Sequence, residues 1–155
     1  MQFIGGLWLD LKDTEIGRSG AAYAQAQIIH AKALHAPVWG WSASTEPQGG
    51  YLGWAGLKDE VVTPHATALA IQINPTEAVS NLRKFEDLGV RSPDKGFYDA
   101  YNWKNKAVSK QFLMLDQGML FISLANHLQT DCIRAAFNSA PLVRRGISLT
   151  KLKDS

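Results

Sequence analysis

The stretch Asp116-Gln117-Gly118-Met119-Leu120-Phe121-Ile122-Ser123-Leu124-Ala125-Asn126-His127-Leu128 decides the fold class. Leu120, Phe121, Leu124 and Leu128 recur at helical spacing, with Met119 and Ile122 behind them. So wide an apolar arc predicts an inner, buried helix over residues 117–130. Asp116 stands where a cap belongs. A capping carboxylate accepts backbone N–H bonds and is favoured by the helix dipole, so its pKa is expected to be lowered. A further helical stretch, 131–138, should follow. Ser139-Ala140-Pro141 then reads as the opening of a short basic turn with Arg144 and Arg145.

Outward from this helix, the pattern stays helical. Residues 18–35 carry two stripes, Ala22/Ala26/Ile29/Ala33 and Tyr23/His30/Leu34, which suggests a helix packed on two sides. Ala36-Pro37 ends it. A short helix is expected over about 64–71. Asn74-Pro75-Thr76-Glu77 is a strong helix start, because Asn caps, Pro suits the first turn and Glu sits three residues on. Ala78, Val79, Leu82 and Phe85 form its buried stripe, and Gly89 supplies a left-handed end. Residues 38–64 have no helical period and are rich in Trp, Gly, Ser, Pro and Tyr. Residues 90–112 are again loop, with short strands around Gly96–Asn102 and Val108–Phe112. The class is all-α, with four or five helices joined by two long aromatic loops, and long loops in compact domains usually carry function.

Composition narrows the function. The chain has 155 residues, 46% of them hydrophobic and 19% charged, which is a globular mix. A net charge of +2 gives no basic field, so nucleic acid is not an expected partner. Cys132 is the single cysteine, which excludes an intrachain disulfide. His30, His35, His65 and His127 show no ligand spacing, so no metal site is expected, and no glycine-rich phosphate loop calls for a nucleotide cofactor. The N-terminus lacks a basic region, and Asp10 cuts its apolar run, so neither a signal peptide nor a membrane span is expected, and the chain as given should stay in the cytoplasm.

Three segments place aromatic or small residues beside polar groups: Trp39-Gly40-Trp41-Ser42-Ala43-Ser44, Phe97-Tyr98-Asp99-Ala100-Tyr101-Asn102 and Asp116-Gln117-Gly118. In an extended segment Trp39 and Trp41 would face one side, and an indole can stack on a sugar ring. Ser44, Gly49, Gly50 and Tyr51 beside them suit a ligand groove. The competing reading is that the indoles are core. Gly40–Ser44 lacks the last glycine and the setting of a nucleophile elbow. Asp116, Asp99 and Glu46 are the carboxylate candidates, since glycoside hydrolysis needs two flanking carboxylates. His65 can point into the same cleft.

These segments, in this order, resemble the glycoamylase-like family of endo-β-1,2-glucanases and the C-terminal domains of cyclic β-1,2-glucan synthases. Phe3–Lys12 with Trp8 and Asp10 is similar to the family's aromatic-Trp-hydrophobic-Asp segment. Trp39–Ser44 with Gly50-Tyr51 is similar to its Trp-Gly-x-x-Ala-Ser…Gly-Tyr loop, and Thr63-Pro64-His65-Ala66 to its x-Pro-Thr-Ala helix start. Gly96–Asn102 and Asp116-Gln117-Gly118 with Leu124-Ala125-Asn126-His127 match two further motifs, and Pro141–Gly146 a common ending.

The resemblance implies an (α/α)6 toroid with the sugar in a central cleft. It implies inverting hydrolysis of a β-glucan, β-1,2-linked, with Asp116 activating water. Trp39, Trp41, Ser44, Tyr51, His65, Tyr98, Asn102 and Gln117, with Asp99, would then line the substrate cleft. The chain departs from the family at Thr45-Glu46-Pro47-Gln48, where many relatives carry Asp-Gly-Pro. The family's acid catalyst lies upstream of the residues present. Twelve helices of about 12 residues need far more than this length, so residues 1–155 are expected to form the C-terminal portion of a toroid. Its cut face should meet the missing N-terminal part or a second copy. The alternative is a non-catalytic carbohydrate-binding or assembly module without the acid. Two structural expectations separate these readings from a bland helical core. Trp41 and Tyr51 should be partly exposed to one groove with Asp116, and Asp116 should face a second carboxylate at roughly 6.5–9.5 Å.

Overall fold

A computed structural model describes residues 3–53 and 58–150; Trp54 lies outside them. More than half of these residues are helical, and a few short antiparallel strand pairs fill the loops. In chain order the elements begin with a 3-10 turn at Ile4–Leu7, α1 (Glu15–Ala33), β1 (Ser44–Thr45), β2 (Tyr51–Leu52) and β3 (Val61–Val62). Then come α2 (Pro64–Leu69) with a 3-10 turn at Ala70–Gln72, α3 (Pro75–Asp87), β4 (Arg91–Ser92) and β5 (Gly96–Phe97). β6 (Ala100–Asn102), β7 (Ala107–Ser109), α4 (Met114–Leu128), α5 (Cys132–Ser139) and α6 (Pro141–Thr150) complete the order. β1 pairs with β2 and β4 with β5, while β6 lies between β3 and β7. No helix among the described residues is long and apolar enough to cross a membrane.

The local signals act as expected at α3. The Asn74 side chain accepts the Glu77 N–H, and Pro75 fills the first position. Ala78, Leu82 and Phe85 are buried, and Gly89 ends the helix at φ 75°. The rotation of α1 differs from the expectation. Its buried face is Gly20, Ala24, Gln27, Ile28 and Ala31, whereas Ala22, Ala26, Ile29 and Ala33 are exposed. The cause is polar: Gln27 turns inward to accept the Trp41 N–H at 2.8 Å. The same holds for α4, which buries Asp116, Met119, Leu120, Ser123 and Asn126. Phe121 and Leu128 of the expected apolar arc are instead 66% and 70% exposed. The expected basic turn after Ser139 is helix α6, because Pro141 occupies a first helical position, where its missing N–H is harmless.

The N-terminal turn is tied to the C-terminal helices through its carbonyls. Asn126 donates to the Leu7 carbonyl at 3.0 Å, Asn138 to that of Trp8 at 2.6 Å, and Arg134 to that of Gly6 at 2.7 Å. Asn126 also accepts the N–H groups of Ile133 and Arg134, both at 3.1 Å, and so satisfies the start of α5. Asn126→Ala removes all three bonds from a buried site. A loss of about 2–4 kcal/mol is expected in urea unfolding. A loss under about 0.5 kcal/mol would mean that α5 does not depend on this side chain.

Candidate functional site

The Trp39-Gly40-Trp41 loop is held by its backbone. Asn81 on α3 accepts the Trp39 N–H at 3.2 Å and donates to the Trp39 carbonyl at 2.7 Å, which Thr67 on α2 also reaches at 2.7 Å. Thr63 donates its N–H to the Gly40 carbonyl at 2.7 Å and its hydroxyl at 3.0 Å. Gln27 fixes Trp41 from α1. Three helices thus position the strand that follows, β1.

On β1, Thr45 meets Asp99. The Asp99 Oδ2 accepts the Thr45 N–H at 2.7 Å and the Thr45 hydroxyl at 2.6 Å. Since the Thr45 hydroxyl spends its proton on Asp99, the Ser109 hydroxyl, 2.6 Å away, donates to Thr45. This chain orients Asp99 Oδ2 and leaves its Oδ1 without a hydrogen-bond partner.

Asp99 belongs to a group of three. His65, in the first turn of α2, and Asp116, in the first turn of α4, join Asp99 with one nitrogen or oxygen each, all within 4.8 Å of one another. His65 Nδ1 lies 3.6 Å from Asp116 Oδ2. The residues are 2%, 1% and 5% exposed for His65, Asp99 and Asp116. Burial pushes the Asp116 carboxyl up from 3.8 to about 8, helped by the neighbouring Asp99 and its charge. Burial pushes His65 down from 6.5 to about 4, against the opposing charge of Asp99. At neutral pH these shifts favour a neutral imidazole at His65 and a protonated carboxyl at Asp116, beside an Asp99 held by Thr45.

Three expectations are corrected here. Asp116 is not a helix cap, since α4 starts two residues earlier, and its pKa is raised rather than lowered. Trp39 and Trp41 are each only 5% exposed, so neither presents a face to a groove. Gly40, at φ 137°, breaks the extended geometry that would have aligned them, and the Trp41 indole N–H donates to the Asp59 carbonyl at 3.0 Å. Tyr51, by contrast, is 63% exposed on β2, so Trp41 and Tyr51 do not share a groove. Asp99 and Asp116 are also nearer than an inverting pair requires.

The remaining candidates are dispersed. Glu46 sits in the β1–β2 turn, paired with Lys58 at 2.6 Å. Asn102 is buried and its side chain accepts the N–H groups of Lys104 and Asn105, a turn-forming role. Gln117 donates to the Phe97 carbonyl at 3.0 Å, and the half-buried Tyr98 ring lies 5.3 Å from Phe112. Ser44 is fully buried, with an unpartnered hydroxyl.

A family model described as "putative glucoamylase" matches residues 9–141, most of the chain. The chain belongs to the glycoamylase family. Two solved structures, described as putative glucoamylases from Bacteroides caccae and Bacteroides uniformis, are 27% and 30% identical, with TM-scores of 0.64. An endo-β-1,2-glucanase from Chitinophaga pinensis, in complex with sophorotriose and glucose, shares the fold at 23% identity and a TM-score of 0.63. Each alignment covers 72% of this chain, and 28%, 27% and 28% of those chains respectively. No curated protein matches.

Within this glycoamylase chain, Thr45 and Ser109 are the site residues that sequence reasoning missed. No spacing along the chain signals them, because Thr45 meets Asp99 across 54 residues and Ser109 across 64.

Proposed function

We propose that the chain is a single unit, the C-terminal portion of an (α/α)6 glycoside hydrolase domain acting on β-glucan, β-1,2-linked. The observation that carries this reading is the buried His65–Asp99–Asp116 group in a glycoamylase chain. A carboxyl of pKa about 8 is protonated at neutral pH. It is suited to donate to a leaving-group oxygen rather than to activate water. Against the resemblance, which gives Asp116 the water-activating role and places the acid upstream, Asp116 is thus the proton-transferring residue, and the water-activating carboxylate of an inverting pair lies farther off. A residue from the rest of the toroid fills that place, so the isolated chain should release little or no sugar from linear β-1,2-glucan.

The closeness of Asp99 and Asp116 also favours the second reading, a glucan-binding module without chemistry. Sugar release once the rest of the domain is supplied, and its loss in Asp116→Asn, would decide for the hydrolase. Both readings require sugar binding. Calorimetric titration with sophorotriose is expected to give saturable binding, with maltotriose much weaker. Tyr51→Ala should weaken the sophorotriose affinity about tenfold by removing an exposed ring. Equal binding of the two trisaccharides, or none by a folded chain, would sink the β-glucan reading.

A further inference from the structure

We propose that the outer face of α4 is a docking surface for a second copy of this chain, joined antiparallel across a twofold axis. This does not rest on the glucan reading, because Asp116 lies on the opposite, inward face of the same helix. The buried residues of α4 are Asp116, Met119, Leu120, Ser123 and Asn126, so its polar side chains point inward. The outer face carries Met114, Gly118, Phe121, Ala125 and Leu128 and no charge. Met114 is 89% exposed, and Leu115 beside it, Phe121 and Leu128 are 66%, 66% and 70% exposed. A helix with its polar residues turned inward and an apolar outer face has no side made for solvent, so this face calls for a cover. The four large side chains expose roughly 500 Å² of apolar surface, toward the upper end of the about 300–600 Å² patch of an ordinary monomer. Two such faces together bury roughly 1,000 Å², enough for a specific though weak interface.

The spacing identifies the occupant. Met114, Gly118, Phe121, Ala125 and Leu128 recur at intervals of four and three residues in turn, a heptad seam, and alternate large and small. The alternation is the same read from either end, so a reversed copy presents the same surface. Set antiparallel with Phe121 over the partner's Gly118, the helices also bring Met114 over the partner's Ala125, and the twofold axis repeats both contacts. Gly118 leaves the notch that this needs, since a Cβ there would meet nothing within 4 Å. Large thus fills small along the overlap, with Leu115 and Ile122 flanking one side and Leu124 the other. A partner of unrelated sequence requires no such self-complementarity.

The test is sedimentation equilibrium of the intact chain in a Cys132→Ser background, which removes the exposed thiol. Twice the chain mass is expected at about 100 μM, with a dissociation constant on the order of 10 μM. Phe121→Glu and Gly118→Leu should each weaken association by about tenfold or more. Gly118→Leu should also raise the Tm of the dilute, monomeric chain, because leucine suits a helix interior better than glycine and nothing there obstructs it. That variant separates a lost interface from a lost fold. Leu142→Glu on α6 removes an equally exposed leucine and should leave association unchanged. On oxidation, the double variant Met114→Cys, Ala125→Cys should form a disulfide-linked dimer, and neither single variant should. The two positions stand too far apart along one helix to bridge within a chain. A chain monomeric at about 100 μM overturns the proposal and leaves the face to the rest of a larger domain. A dimer that Phe121→Glu and Gly118→Leu do not weaken, or that Leu142→Glu does, overturns it too and moves the contact off α4. Sophorotriose binding tests the glucan reading separately, so the two can fail independently.

Discussion

Replacing Gly40 with alanine is expected to unfold the protein or nearly so. Its φ of 137° is a conformation that side-chain-bearing residues rarely adopt, which alone costs about 1–3 kcal/mol. A Cβ there would lie 2.5 Å from the Thr63 carbonyl oxygen and 2.8 Å from Thr67 Oγ1. Neither atom is free to retreat. Thr63 is bound twice to the Gly40 carbonyl, and Thr67 Oγ1 bonds to Trp39 and Asn81. Relief would break at least two buried hydrogen bonds, each about 1–3 kcal/mol when a partner is orphaned. The sum, about 4 kcal/mol or more, is a large share of a typical total of about 5–15 kcal/mol. Gly49→Ala is the control. Gly49 has φ 96° but nothing within 4 Å, so it should cost only about 1 kcal/mol of backbone strain. Similar urea midpoints for the two variants would refute the clamp.

Backbone punctuation was legible from sequence because its physics is local. Asn74, Pro75 and Gly89 set the two ends of α3 through contacts within a few residues, and they act as read. Helices α1, α2, α4 and α5 lie close to where periodicity put them, while α6 stands where a turn was expected. What periodicity did not give is which face turns inward. In α1 and α4 the buried faces are set by Gln27, Asp116 and Asn126, polar residues that an apolar count leaves outside. Each of Gln27, Asn126 and Asp116 has a partner far away in the chain. An unsatisfied buried amide costs more than an exposed methyl group saves, so the distant partner wins over the local stripe. Phe121 and Leu128 are consequently left exposed.

The site followed the same rule. Asp116, Asp99 and His65 were each singled out from their own segment, and the fold brings those three together. The tryptophans were singled out on the same grounds and became core. A carboxylate or imidazole can be buried only where other polar groups meet it, so such residues converge. An indole is content in any apolar pocket, and its presence near a polar segment carries little information about a groove. The direction of the Asp116 shift was the harder matter. It depends first on burial and then on Asp99 lying beside it, and no spacing along the chain encodes either.

That direction yields the second large effect, a fall in stability on raising the pH from 6.5 to 8. Asp116 titrates at about 8 in the folded chain and near 3.8 when unfolded. The folded state therefore holds a proton that the unfolded state has already lost, and stability falls as pH rises through this window. At about 1.4 kcal/mol per pH unit, the loss is about 2 kcal/mol. His65 has the opposite sign. Its folded pKa of about 4 lies below 6.5, so its contribution is lost as pH falls from 6.5 to 4. Over that lower range the two groups oppose each other and the wild-type profile should be nearly flat. Asp116→Asn removes only the carboxyl, and its amide can still donate to Asp99. The variant should be flat above pH 6.5 and lose stability on acidification below it, a profile unlike that of the parent. Urea unfolding of both proteins at half-unit pH steps measures the difference directly. Parallel profiles would show that Asp116 is ionised in the folded chain at neutral pH, and would return it from proton donor to water-activating base.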